Sequence, residues 1–246
     1  MPPQPAAQRA GGPEATFHAT LSLMPAVDRI GPKPASRPMA FLSDVHGNLK
    51  ALEAVLTELQ RHAIEDIYVA GDLLFGGEEP LQVWQRLQSL GAHCVRGTSD
   101  VALATLDPAT LRPRTPEEET MAARFAATRR AVGDLILRRL VELPDRIRVP
   151  MVDGTELLLV HGSPSDPFES IEHDLGDEDV RELLADDPAD IVVCGATHVP
   201  YARVVDDVHV INVGSVGSAP GGEVAHFTLL YPKTSGAMVE QTWVDI

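Results

Sequence analysis

Asp44 and His46 sit one residue apart in SDVHGN (43–48), directly after the apolar run MAFL, and this placement of a cation-binding side chain recurs along the chain. Asp72 follows DIYVAG, Thr98 and Asp100 follow AHCVRG, His161 follows ELLLV, and His198 follows DIVVCGAT. In open α/β sheets the working groups lie just beyond the carboxyl ends of the strands. Neighbouring strands are about 4.8 Å apart, which would crowd Asp44 against Asp72. Two carboxylates that close need a cation or a shared proton between them. With imidazoles added, the set suits Zn, Mn, Fe or Ni better than Ca or Mg. Each residue taken alone has a structural explanation. Asp44 could cap the next helix, Asp72 could serve a turn, and His161 or His198 could be a core histidine. Independent caps and core histidines have no reason to share five strand ends. The repetition therefore favours one common site. The other histidines, His18, His62, His93, His173, His209 and His226, lack this context and are read as structural or surface residues.

The elements that position these groups follow from periodicity. Runs of four to six aliphatic residues bounded by glycine read as buried strands. Between the first three lie two helical patterns. LKALEAVLTELQRH (49–62) sets Leu52, Val55, Leu56 and Leu59 on one stripe, and EPLQVWQRLQSLG (79–91) sets Leu81, Trp84, Leu87 and Leu90 on another. Strand–helix–strand order implies parallel pairing with right-handed crossovers. Residues 117–143 form a long helical stretch, two helices meeting near Gly133, that either pairs with a second copy of the chain or covers a substrate cleft. Residues 146–160 read as a hairpin turning at Asp153-Gly154, and 202–217 as another turning at Asp206-Asp207. Two further strands lie in EVAHFTLLYP and GAMVEQTWV. Two stacked sheets flanked by helices account for both halves, so the fold class is α/β.

The chain has 246 residues, 44% of them hydrophobic, enough for one full-sized core. Its net charge of −16 repels polyanions and argues against extended DNA or RNA as a partner. A small anionic substrate stays compatible, because a bound cation inverts the local potential. No run approaches the roughly 18 apolar residues that span a bilayer. Cys94 and Cys194, the only cysteines, read as core thiols of a reducing cytoplasm. Residues 1–38 carry eight prolines and no sustained apolar period, and are expected to form a flexible leader, with one domain over 39–246.

The ordered set SDVHGN (43–48), GDLLFGG (71–77), RGTSD (96–100), VHGSP (160–164), CGATH (194–198) and INVGSVG (211–217) resembles the calcineurin-like metallophosphoesterases, in their small bacterial phosphodiesterase branch. The resemblance implies a four-layer αββα sandwich of two mixed sheets flanked by helices. It implies one divalent metal, manganese foremost with Fe, Zn or Ni as alternatives, held by Asp44, His46, Asp72 and His198. A second metal would share Asp72 and take His161. It also implies hydrolysis of a small, nucleotide-like phosphodiester, cyclic ones included, by a metal-held hydroxide. Family ligands to the second metal, an asparagine and a histidine, correspond here to Thr98 and Ala196, so that site is expected to be weak. Ser99 replaces a histidine that serves some relatives as an acid. The alternative is a degraded member acting as a protein-binding scaffold. Asn48 and Thr98 are the candidate substrate contacts. Asn48 is equally a candidate helix cap. Gly214 to Gly217 reads as a tight strand connection rather than a phosphate loop, because no Lys-Ser/Thr follows.

Overall fold

Successive strand residues point to opposite faces, and both faces of the central strands here are apolar. The structure, a computed structural model, describes residues 27–29 and 33–246. One sheet has five strands: β2 (Met39–Leu42), β3 (Asp66–Ala70), β4 (His93–Val95), β10 (Val224–Lys233) and β11 (Gly236–Asp245). Their spatial order is β11-β10-β2-β3-β4. β2, β3 and β4 are parallel, and β10 runs antiparallel to both neighbours. The other sheet has six strands: β1 (Val27–Arg29), β5 (Arg146–Pro150), β6 (Glu156–Val160), β7 (Ile191–Cys194), β8 (Tyr201–Val205) and β9 (Val208–Asn212). Their order is β1-β5-β6-β7-β9-β8, with β5–β6 and β8–β9 antiparallel and the remaining pairs parallel. The helices are α1 (Leu49–Arg61), α2 (Pro80–Leu90), α3 (Thr98–Thr105), α4 (Pro116–Glu142) and α5 (Asp177–Leu184).

Three apolar layers result. Met39 and Phe41 of β2 face Leu157 and Leu159 of β6 and Val193 of β7 between the sheets. Phe41 stacks on Tyr68 there, ring centroids 5.1 Å apart. The alternate residues Ala40 and Leu42 meet α1, α2 and α4 through Leu52, Leu56, Leu87 and Leu140. On the far side, Leu158, Val160, Val192 and Cys194 pack against Val180 and Leu184 of α5. Each fully buried Leu or Phe contributes about 1.5–3 kcal/mol. Strands apolar on both faces thus demand helices on both outer surfaces, and the αββα sandwich is the outcome.

Most sequence expectations meet their elements. α1 buries the anticipated stripe. α2 buries Val83, Trp84 and Leu87 while Leu81 and Leu90 lie at its margins. α4 breaks at Gly133, which adopts φ 73°, a left-handed value glycine tolerates. Both cysteines are buried and free, and burial pushes each thiol up to about 12. Most of the proposed leader lies outside the described residues. Its described parts do not match a fold beginning at Met39: β1 pairs parallel with β5, and Ala35 bridges Met151. A short edge strand needs hydrogen bonds on only one side, so it tolerates the surrounding prolines that suggested a leader. No helix among the described residues is long and apolar enough to cross a membrane.

Candidate metal centre

The loops after β2, β3, β6 and β7 converge where the two sheets share one end. Backbone hydrogen bonds stitch the first two together: Asp44 N–H donates to the Gly71 carbonyl, His46 N–H to Asp72 and Gly47 N–H to Leu73. The segment after β9 clamps the same loop, with Val216 N–H donating to Ser43, Gly217 N–H to Asp44, and the Ser215 hydroxyl to the Asp44 carbonyl. The glycines of INVGSVG therefore serve a strand connection, as read from the sequence. Asp44, His46, Asp72, Ala196 and His198 all hold positive φ, between 49° and 68°. Non-glycine residues seldom stay there, and such strain gathers where side chains must be aimed.

The three histidines are oriented alike. Nδ1 of His46 lies 2.6 Å from the Phe75 carbonyl, Nδ1 of His161 2.6 Å from that of Ala70, and Nδ1 of His198 3.0 Å from that of Ser218. A carbonyl accepts only, so each neutral ring carries its proton on Nδ1 and presents the Nε2 lone pair to the centre. Metal-ligating histidines are commonly held this way. Nε2 of His46 and of His198 then face each other at 3.1 Å. Two lone pairs that close repel unless a proton or cation separates them.

The carboxylates complete the arrangement. Asp44 Oδ1 lies 3.3 Å from His198 Nε2 and 3.6 Å from His46 Nε2. It is fully buried and has no hydrogen-bond partner among the described residues, while Oδ2 accepts the Ala196 N–H at 3.0 Å. A buried carboxylate oxygen without a donor is costly in itself and is satisfied by a cation. Asp72 spans two histidines, with Oδ2 4.0 Å from His46 Nε2 and Oδ1 3.6 Å from His161 Nε2, and the Ser99 N–H steadies Oδ1 at 2.8 Å. Ligand atoms of Asp44, His46 and His198, and again of Asp44, Asp72 and His161, lie within 4.8 Å of one another. The donor set fits divalent metal binding.

Electrostatics agree. Burial alone would push Asp44 up, but the imidazoles of His198, His46 and His161 hold it well below the usual carboxylate range. Burial alone would keep His46 neutral, yet Asp44 and, beyond it, Asp72 raise its pKa above the ordinary value. The carboxylates thus favour positive charge at this centre, whether on the His46 ring or on a cation. Asp100 plays a different part from the strand-end ligands. It is buried, and its two oxygens accept the Leu73 and Gly97 N–H groups at 3.0 Å each, tying the start of α3 to the Asp72 loop. Burial and the charge of Asp72 push it up to about 7. Gly97 is required by close approach, since a Cβ there would collide with the Asp72 carboxylate.

The remaining sequence candidates divide. Asn48 rather than Asp44 is the N-cap of α1, its Oδ1 accepting the Ala51 N–H and its Nδ2 donating to the Gly217 carbonyl. It also borders a cavity of about 320 Å³ beside His46 and His198. Thr98 opens α3 and borders a second cavity, about 620 Å³, that begins at Asp72. Ala196 sits beside Asp44 with no side-chain donor and spends its N–H on that carboxylate. Sequence reasoning missed Phe75, whose carbonyl orients His46 and whose ring borders both cavities. It also missed the backbone N–H of Ser99. Neither leaves a signal in residue type, because both act through main-chain atoms.

The family model described as the calcineurin-like phosphoesterase superfamily domain matches residues 38–235. An uncharacterized protein of Methanocaldococcus jannaschii is 24% identical over 201 residues, 75% of this chain and 78% of that protein. Phosphodiesterase YfcE of Escherichia coli K12 is 26% identical over 203 residues, 78% of this chain and 86% of the relative. A metallophosphoesterase from Sphaerobacter thermophilus has the same fold, with TM-score 0.66 at 24% identity over 85% of this chain and 89% of that one. The Escherichia coli relative bears out the resemblance to the small bacterial phosphodiesterase branch. The chain belongs to the calcineurin-like phosphoesterase superfamily and is a metallophosphoesterase.

Proposed function

We propose that the chain is a metal-dependent phosphodiesterase that hydrolyses a small nucleotide-like phosphodiester, cyclic ones included, in the cytoplasm. The observation that supports this most is the convergence of three imidazole Nε2 atoms on the paired carboxylates Asp44 and Asp72. Asp44, His46, Asp72 and His198 would hold one cation tightly, manganese foremost with Fe, Zn or Ni as alternatives. Asp72 and His161 would hold a second. Bound cations supply Lewis-acid polarisation of phosphoryl oxygens and acidify water.

The residues of this chain account for the rest. Carbonyl contacts at Nδ1 keep the three rings aimed inward, and the Ser99 N–H keeps Asp72 between His46 and His161. Catalytic sites of this chemistry usually keep three protein ligands. The second half offers two, plus the neutral hydroxyl of Thr98, so its metal is held weakly or arrives with substrate. Asn48 and Thr98, which border the cavities on either side, would meet the ester arms. Ser99 is a poor acid at neutral pH. General acid help is typically worth about 10²–10⁴-fold, so its absence suits leaving groups that need little protonation, such as aryl and strained cyclic esters. The relative named as a phosphodiesterase supports the same substrate class. Two unpaired buried thiols support a reducing compartment.

Release of nitrophenol from bis(p-nitrophenyl) phosphate in Mn²⁺, against an Asp72→Asn control, tests the reading. Turnover that depends on metal and is lost in the control is the expected result. No metal-dependent turnover by the unaltered chain would overturn it in favour of a protein-binding scaffold.

A further inference from the structure

The cavity of about 620 Å³ that begins at Asp72 is far larger than a phosphate needs. Its lining includes the edge-to-face pair Phe75 and Phe125, ring centroids 5.5 Å apart. Leu106 and Met121 in its wall are 46% and 54% exposed, so the side chains leave apolar surface open to solvent beside the metal ligands. Pockets of this size lined by apolar and aromatic groups are built to take an apolar or aromatic body. One edge of the cavity is cationic. Arg112 and Arg114 line it, and neither pairs with a carboxylate side chain among the described residues, in a chain of net charge −16. Arg112 Nη1 donates to the carbonyls of Ala109 and Leu111, which orients the guanidinium and leaves its other N–H groups available. Glu118 shares the wall, with its Oε2 engaged by the Arg114 backbone N–H at 2.5 Å. Arginines without carboxylate partners beside an apolar cavity match a ligand that carries both a ring and a phosphate chain.

We infer that this cavity is the specificity pocket for a nucleotide arm of the substrate. The aromatic base lies against Phe75, Leu106, Met121 and Phe125, and a phosphate beyond the scissile one is gripped by Arg112 and Arg114. The inference rests on the phosphodiesterase reading for the identity of the reacting phosphorus, and it adds the pocket that selects the nucleotide arm and a second phosphate on that arm. α4 thus supplies a wall of the pocket, since Met121 and Phe125 belong to it.

The test uses the full chain with carbon-13-labelled methionine methyls in Mg²⁺, titrated with ADP and with ribose 5-phosphate. Substitution Met121→Leu assigns the resonance. A ring-current shift of the Met121 methyl with ADP, and none with ribose 5-phosphate, is expected. Loss of the two guanidinium contacts in Arg112→Ser/Arg114→Ser should weaken ADP binding about tenfold. Both arginines are exposed loop residues, so that variant keeps the fold. A Met121 methyl unmoved by millimolar ADP, or an unchanged affinity in the double variant, would overturn the assignment. Turnover of bis(p-nitrophenyl) phosphate is scored separately. An active enzyme whose Met121 ignores ADP refutes the pocket alone, and a Met121 shift without turnover refutes the phosphodiesterase reading alone.

Discussion

The two halves of the metal centre are built by the same device, a strand that ends and hands over one polar side chain, yet they deliver different numbers of ligands. Asp44, His46 and His198 meet within bonding reach of one ion, and Asp72 extends to His46 at 4.0 Å. The half around His161 has Asp72, with Asp44 alongside but assigned to the first half, and then runs out: Thr98 is exposed, and Ala196 supplies only a main-chain N–H. The backbone is not what differs. Ala196 has φ 68°, in the same left-handed region as His198 at 61°. A backbone able to aim a side chain is thus present at 196, where alanine offers no donor atom. Under the proposed function, the weakness of the second half would be a matter of side-chain chemistry, open to repair.

Breaking the residue common to both halves should have the largest effect. Asp72→Asn keeps an acceptor for the Ser99 N–H and nearly the same volume, while removing the charge of the carboxylate that spans His46 and His161. We expect metal-dependent turnover to fall by about 10³-fold or more, equivalent to several kcal/mol of lost transition-state stabilisation. Metal content by mass spectrometry should fall with it. Unaltered metal content in a folded variant would show that Asp72 is not the shared ligand. The halves can then be separated. His198→Ala should cost about 10²-fold in turnover, and His161→Ala about tenfold, if one half binds tightly and the other already binds weakly. The reverse order would invert the assignment of tight and weak sites.

Proton competition sharpens the same contrast. An imidazolium cannot ligate, so metal binding must release the proton that His46 holds above its ordinary pKa of 6.5. Apparent affinity of the first half should drop about tenfold per pH unit below the raised His46 pKa and level off above it. Stability of the metal-free chain should move in the opposite direction. A raised folded-state pKa contributes stability that is fully present below the unfolded value and is lost as pH rises through the folded one. Calorimetric titration and thermal unfolding at several pH values, with and without Mn²⁺, read both slopes. Parallel slopes would contradict a proton and a cation sharing one place.

How much of this was legible without coordinates differs by residue. The β2–α1–β3–α2–β4 order and the two hairpins were legible because apolar period and Asp-Gly or Asp-Asp turns are local signals. So were the five strand-end residues, which recur after apolar runs. α5 escaped notice although Val180, Leu183 and Leu184 follow helical spacing, because eight residues give too few repeats to stand out. α3 is hidden because Thr98 and Asp100 follow an apolar run and so look like strand-end donors, whereas they open a short helix. Asp100 turned out to bind backbone N–H groups, a role no residue type announces. The cavity was illegible for a further reason: Phe75, Leu106, Arg112 and Met121 come from separate segments, and only packing of α4 against α3 brings them to one wall.

Ala196→His is the smallest expected change and the most direct repair of the unequal halves. Histidine is among the residues that tolerate left-handed φ, so the backbone at 196 can stay as it is. The N–H donated to Asp44 Oδ2 is a main-chain group and survives the substitution. The added imidazole would give the His161 half a third protein ligand, the number such sites usually need. We expect affinity for the second metal to rise about tenfold, in line with one added ligand of modest geometry, and turnover to rise by no more than that. Calorimetric titration with Mn²⁺ should show the weaker of two binding phases strengthen while the tighter one keeps its affinity. If the tighter phase changes instead, residue 196 faces the first cluster, and the vacancy that distinguishes the halves lies elsewhere.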